Sequence, residues 1–138
     1  MAGREQPRGG RRDAPAGVAA RAQPFPRGFP RRGEMYWVDF DSPRGSEQAG
    51  NRPAVVISND VNNQHSPTIL VAAITRTIPP KRYPQNVHVP AGELAFDSTI
   101  LGGQILTVDK TRLGNHAGNL TDVQIGHLNR ALRVAMSL

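Results

Sequence analysis

A chain of 138 residues with no cysteine and a formal charge of +6 holds one domain at most, lacks disulfides and thiolate metal sites, and suggests an anionic partner. No apolar stretch approaches the roughly 20 residues of a bilayer span, so a soluble, cytoplasmic protein with no membrane role is expected. The charge is concentrated at one end. The first 33 residues carry eight arginines against Glu5 and Asp13, whereas from Glu34 onward nine basic and nine acidic residues cancel. The folded part is therefore formally neutral, and any attraction for nucleic acid within it has to be local.

Residues 1–32 are rich in Arg, Pro and Gly and poor in apolar side chains, the composition of a disordered tail. Such a tail is a solvated extension, with Met35 as an internal candidate start, or an arm that holds RNA by counterion release. The domain is expected over 33–138. Met35 to Phe40 reads as a first strand, ended by Pro43. A polar, Gly-rich loop from Gly45 to Pro53 leads into a strand from Ala54 to Ser58. A second polar loop, Asn59 to Pro67, precedes the strand Thr68 to Thr75, whose apolar run implies burial on both faces. The Pro79 to Pro84 stretch reads as a surface loop.

Three short strands are expected next: Asn86 to Val89, Ser98 to Leu101 and Gln104 to Val108, the last two joined by a tight hairpin at Gly102-Gly103. Asp109 to Leu113 suits a short helical turn. Thr121 and Gln124 form a capping box for a C-terminal helix whose apolar face is Ile125, Leu128, Leu132 and Ala135. Short strands closed by one helix indicate a mainly β fold, a small, strongly curved sheet or barrel. Two buried strands each deliver one polar residue to a rim, Arg52 and Thr75, and together suit a phosphodiester.

The order of segments carries a resemblance. Arg32-Gly33-Glu34-Met35-Tyr36-Trp37-Val38-Asp39-Phe40, Gly45-Ser46-Glu47-Gln48, Arg52-Pro53-Ala54-Val55-Val56-Ile57-Ser58-Asn59, Ala72-Ala73-Ile74-Thr75, then Gln104-Ile105, Thr107-Val108-Asp109-Lys110 and Arg112-Leu113 resemble the MazF/PemK toxins. The resemblance covers about residues 32 to 138. It implies a small SH3-like barrel of the MazF/PemK/CcdB type with a C-terminal α-helix, a homodimer, and cutting of single-stranded RNA at short motifs without a metal or other cofactor. It also implies neutralisation by a cognate antitoxin. The related gyrase poisons share that barrel and bind a protein target with the C-terminal helix, which is one alternative reading; the other, favoured by Gly103 and Leu106, is a catalytically weakened member that acts mainly by binding RNA or its antitoxin.

Metal-free RNA cutting uses the neighbouring 2′-hydroxyl as nucleophile and leaves a 2′,3′-cyclic phosphate and a 5′-hydroxyl. The enzyme has to assist removal of that proton, stabilise a crowded phosphorane and protonate the leaving oxygen. Arg52 suits the middle task because its planar fork bonds two phosphoryl oxygens while staying charged. The resemblance implies Arg52 and Thr75 as the catalytic pair. Glu47, the carboxylate nearest Arg52 in sequence, is a base, an orienting partner of the arginine, or a solvated loop acid.

Ser46 and Gln48 are candidates for phosphate or base-edge contacts with unstacked RNA. Gln104 faces the same groove or is a plain strand residue. His65 is the histidine to test for RNA contact, against an exposed loop histidine. The four histidines share no metal-ligand spacing, so zinc is not expected. Family members often carry an acidic residue before the Gln-Ile pair and a basic one after it. Here Gly103 and Leu106 stand in those places, and Arg76 is the candidate for the missing positive charge.

Overall fold

The computed structural model describes residues 25–40 and 50–138. Six antiparallel strands form one sheet: β1 (Glu34–Phe40), β2 (Gly50–Val56), β3 (Thr68–Thr75), β4 (Asn86–Val89), β5 (Ser98–Asp109) and β6 (Leu113–Asn119). They lie in the order β4-β5-β3-β2-β1-β6. Helices α1 (Asp60–His65) and α2 (Asp122–Met136) and a 3₁₀ turn at Lys110–Arg112 complete the chain. The mainly β class with a C-terminal helix stands as expected. The sheet has two edges, β4 and β6, so it is not closed into a complete barrel.

Both faces of the central strands are buried, which accounts for their continuous apolar runs. Met35, Val55, Ala72, Ile74 and Ile100 pack with Leu128, Ala131 and Leu132 of α2. The opposite face gathers Tyr36, Val38, Ala54, Val56, Ile69 and Val71. Strand alternation sends neighbours along each strand into different cores, so a one-residue slip would exchange the two sets. The capping box of α2 forms as read: Gln124 N donates to Thr121 Oγ1 (3.1 Å) and Thr121 N donates to Gln124 Oε1 (2.9 Å). Ala131 takes the core position in place of the expected Ala135, which lies exposed in the last turn.

Four expectations give way to tertiary effects. The Asn59 to Pro67 loop contains α1, started by Asn59, whose side chain accepts from Asn62 N at 2.8 Å. β2 begins at Gly50 rather than Ala54, so Arg52 and Pro53 lie inside it. β6 was not expected, because Leu113–Asn119 lacks β-branched alternation; pairing with β1, irregular at two places, makes it a strand. The hairpin at Gly102-Gly103 does not form. β5 runs unbroken along β3, and the Gly102-Gly103-Gln104 triplet is a bulge, with Ala72 opposite Ile105 and Ala73 opposite Leu101.

Gly102 donates its N–H to Gln85 O (2.9 Å), which ties the bulge to the turn before β4. A Cβ on Gly102 would collide with that same carbonyl oxygen. Gly102→Ala is therefore expected to lower unfolding free energy by about 2 kcal/mol, read as a lower urea midpoint with unchanged slope.

The ordered packing starts before the boundary read at Gly33. Phe25 sets its ring edge-on to Tyr36 (centroids 5.8 Å apart). The buried Glu34 carboxylate accepts from Arg27 Nη2 (3.0 Å), Arg31 N (2.7 Å) and Tyr36 Oη (2.7 Å). Residues 25–32 thus belong with the domain, and the rest of the expected tail lies outside the described residues.

Candidate active site

Arg52 and Thr75 stand on neighbouring strands. β2 pairs with β3 at Ala54–Ala73, Val55–Ala72 and Val56–Val71. Carrying that register two residues further brings Arg52 level with Thr75 and onto the same face. This is beyond the last paired position of the two strands, while β2 still pairs with β1 through Trp37–Pro53 and Val38–Arg52. Pro53, which has no N–H to donate, is tolerated where one side of the strand has left its ladder. Arg52 and Thr75 are both half-buried at this end of the sheet.

Both side chains have donors to offer. Arg52 Nε is buried and has no hydrogen-bond partner among the described residues. Burying such a donor unpaired costs about 1–3 kcal/mol, a cost that an anion would remove. Thr75 Oγ1 accepts from Thr77 N (3.1 Å), which orients the hydroxyl and leaves its own proton to donate.

The row continues across two more strands. Thr75 lies opposite Thr99 on β5, and Thr99 lies opposite His88 on β4. Thr99 and His88 line a cavity of ≈340 Å³, together with Asn86 and with Lys81, Arg82 and Tyr83 from the β3–β4 loop. The cavity therefore opens on the face that carries Arg52 and Thr75. It gathers two cations and an aromatic ring. Sequence reading missed this part and took Pro79 to Pro84 only as a surface loop. The signal was the Lys81-Arg82-Tyr83 run, a basic pair beside an aromatic; its value depends on which face the loop covers.

The other candidates scatter. Ser46, Glu47 and Gln48 lie outside the described residues. Gln104 is exposed in the β5 bulge, beside the Ala72–Ala73 step of β3. Arg76 stacks its guanidinium on Phe96, with Cζ 3.7 Å from the ring centre, so its charge is engaged there. His65 ends α1 and is exposed. It precedes β3 at Thr68 whereas Thr75 closes it, so the two lie at opposite ends of an eight-residue strand. Among the described residues no three His, Asp or Glu side chains gather into a group that could hold a metal ion.

The family model for the PemK-like, MazF-like toxin of type II toxin-antitoxin systems matches residues 31–136. The chain belongs to the PemK/MazF toxin family. It is 41% identical over 110 residues to Endoribonuclease EndoA of Bacillus subtilis, covering 78% of this chain and 95% of the relative. Endoribonuclease MazF of Staphylococcus saprophyticus is likewise 41% identical over 110 residues, with 78% and 92% covered. A mycobacterial endoribonuclease solved in complex with its cognate antitoxin shares 25% identity at a TM-score of 0.67, covering 79% of this chain and 96% of that one. MazF of Deinococcus radiodurans, 23% identical, shares the fold at a TM-score of 0.68 with 80% and 98% covered.

The departure from the PemK/MazF pattern at Leu106 has a packing reason. Leu106 is partly buried against the core of Tyr36, Ala54 and Val71, where a basic side chain would lose that contact. Gly103 is exposed in the bulge, with Gln85 Cγ 3.9 Å from where its Cβ would stand.

Proposed function

We propose that this chain is an endoribonuclease toxin that cuts single-stranded RNA by attack of the 2′-hydroxyl on the adjacent phosphate, without a metal ion. The observation that carries the site is the buried Arg52 Nε, without a partner among the described residues, on a residue that the β2–β3 register, extended two positions, sets opposite Thr75. In this reading the Arg52 fork bonds the two nonbridging phosphoryl oxygens and Thr75 donates to one of them. Both bonds strengthen as negative charge builds on the phosphorane, which is what lowers the barrier. The 2′-hydroxyl loses its proton to a base as its oxygen bonds to phosphorus, the bond from phosphorus to the 5′-oxygen breaks, and that oxygen takes a proton from water, giving a 2′,3′-cyclic phosphate and a 5′-hydroxyl. Glu47 is the candidate for accepting the 2′-hydroxyl proton, with Ser46, Gln48 and Gln104 as candidate RNA contacts.

Curated relatives named as endoribonucleases favour this reading over a gyrase-binding toxin. The cationic cavity beside Thr99 supports it further, because unstacked RNA offers both phosphates and free base edges. A cognate antitoxin is the proposed protein partner, by analogy with the mycobacterial complex. A homodimer is proposed as well, supported by exposed Val134, Met136 and Leu138 at the end of α2. No helix among the described residues is long and apolar enough to cross a membrane. Action on cellular RNA would place the protein in the cytoplasm.

The test is a long single-stranded RNA incubated with purified protein in EDTA, with the new ends mapped. Discrete cuts bearing cyclic phosphate and 5′-hydroxyl ends are expected. Intact RNA across many sequences, with folded protein, would overturn the proposal.

A further inference from the structure

We infer that His88 is a specificity-determining residue that reads the base next to the scissile phosphate, an assignment that rests on the ribonuclease reading of the Arg52–Thr75 rim. The register is the first argument. Thr75, Thr99 and His88 are paired in one row over β3, β5 and β4, and extending the β2–β3 register by two residues adds Arg52 on the same face. Two strand spacings separate His88 from Thr75, about 10 Å, which is within reach of the base flanking a phosphate held at Thr75.

The shape and chemistry of the cavity are the second argument. Its volume of ≈340 Å³ suits a single unstacked nucleotide. Ile78, Pro79 and the Tyr83 ring supply apolar surface for the faces of a base. Lys81 and Arg82 are placed for the backbone, where they add affinity but carry no sequence information. Discrimination needs a donor or acceptor at a fixed position. His88 has that rigidity because β4 pairs with β5 on both sides of it, at Val87–Ile100 and Val89–Ser98. Its imidazole presents one donor and one acceptor when neutral, enough to distinguish base edges. Thr99, 4% exposed, closes the floor behind it.

A side chain on a strand is more precisely placed than the loop residues around it. That makes His88, rather than Lys81 or Arg82, the residue whose change should alter the motif instead of merely weakening binding.

The experiment compares the unaltered protein with His88→Val and His88→Asn on a randomised single-stranded RNA pool, with cut sites mapped and kcat and KM measured on one preferred substrate. His88→Val keeps a β-compatible residue at an exposed position of an edge strand, and circular dichroism checks that the fold is kept. Its base preference is expected to fall about ten-fold at one motif position beside the cut, with the other positions retained and KM raised. His88→Asn keeps a donor and an acceptor and is expected to recover part of that preference or move it to another base. An unchanged motif in His88→Val would overturn the assignment while leaving the ribonuclease reading intact. Equal loss at every position would also overturn it, since that marks a backbone contact. Failure of the unaltered protein to cut any RNA would overturn both.

Discussion

Arg52→Ala is expected to slow RNA cutting by about a thousand-fold while the protein stays folded. The phosphorane gathers negative charge on oxygens that water would otherwise solvate, and Arg52 is the cation level with Thr75 at the open end of the β2–β3 ladder. Its half-buried position strengthens each charge-assisted bond relative to the same bond in water. The fold should tolerate the loss, because the substitution removes a buried Nε donor that has no partner among the described residues. Arg52→Lys keeps the charge and loses the fork, and should recover only part of the rate. The measurement is a single-turnover rate in EDTA, with thermal unfolding as the fold control. A variant that cuts within a few-fold of the unaltered protein would remove Arg52 from the mechanism.

Glu34→Ala is expected to cost about 3 kcal/mol of stability. Glu34 is 1% exposed and collects donors from three directions: the Arg27 guanidinium, Arg31 N and the hydroxyl of fully buried Tyr36. Truncation would leave the Tyr36 hydroxyl without this acceptor and release Arg27, which holds residues 25–32 against the sheet. Arg27 is itself more than half exposed, so its ion pair contributes the smaller part. Urea unfolding should show the midpoint fall with an unchanged slope. A chain shortened to begin at Met35 should lose the same clamp. A shift below about 0.5 kcal/mol for Glu34→Ala, within the range of an ordinary surface change, would show that the clamp contributes little.

Elements with strong local signals were legible in the sequence. β3 was read end to end because eight residues with an apolar run and a polar terminus leave no other choice. α2 was read from Thr121 and Gln124, because a capping box is a local hydrogen-bond pattern. Elements that depend on a distant partner were missed. β6 is a strand because β1 lies beside it, and nothing in Leu-Gly-Asn-His-Ala-Gly-Asn requires that. Gly102-Gly103 looks the same in a hairpin and in a bulge. What decides between them is Gln85 O, which takes the Gly102 N–H from seventeen positions away.

The candidate site divides in the same way. By itself the sequence offered the candidate residues of its centre: an arginine beside one apolar strand and a threonine closing another. It also carried, in the order of its segments, the resemblance to the PemK/MazF toxins that the family match bears out. Only the tertiary structure decided what surrounds that centre. Strand order places β5 and β4 next to β3, which brings Thr99 and His88 into the row and turns an ordinary basic loop into the wall of a cavity. The same structure separates His65 from the centre by the length of β3 and engages Arg76 with Phe96. The physical reason is that residue type reports what a side chain can do, whereas its neighbours across a sheet are set by pairings between segments far apart in the chain.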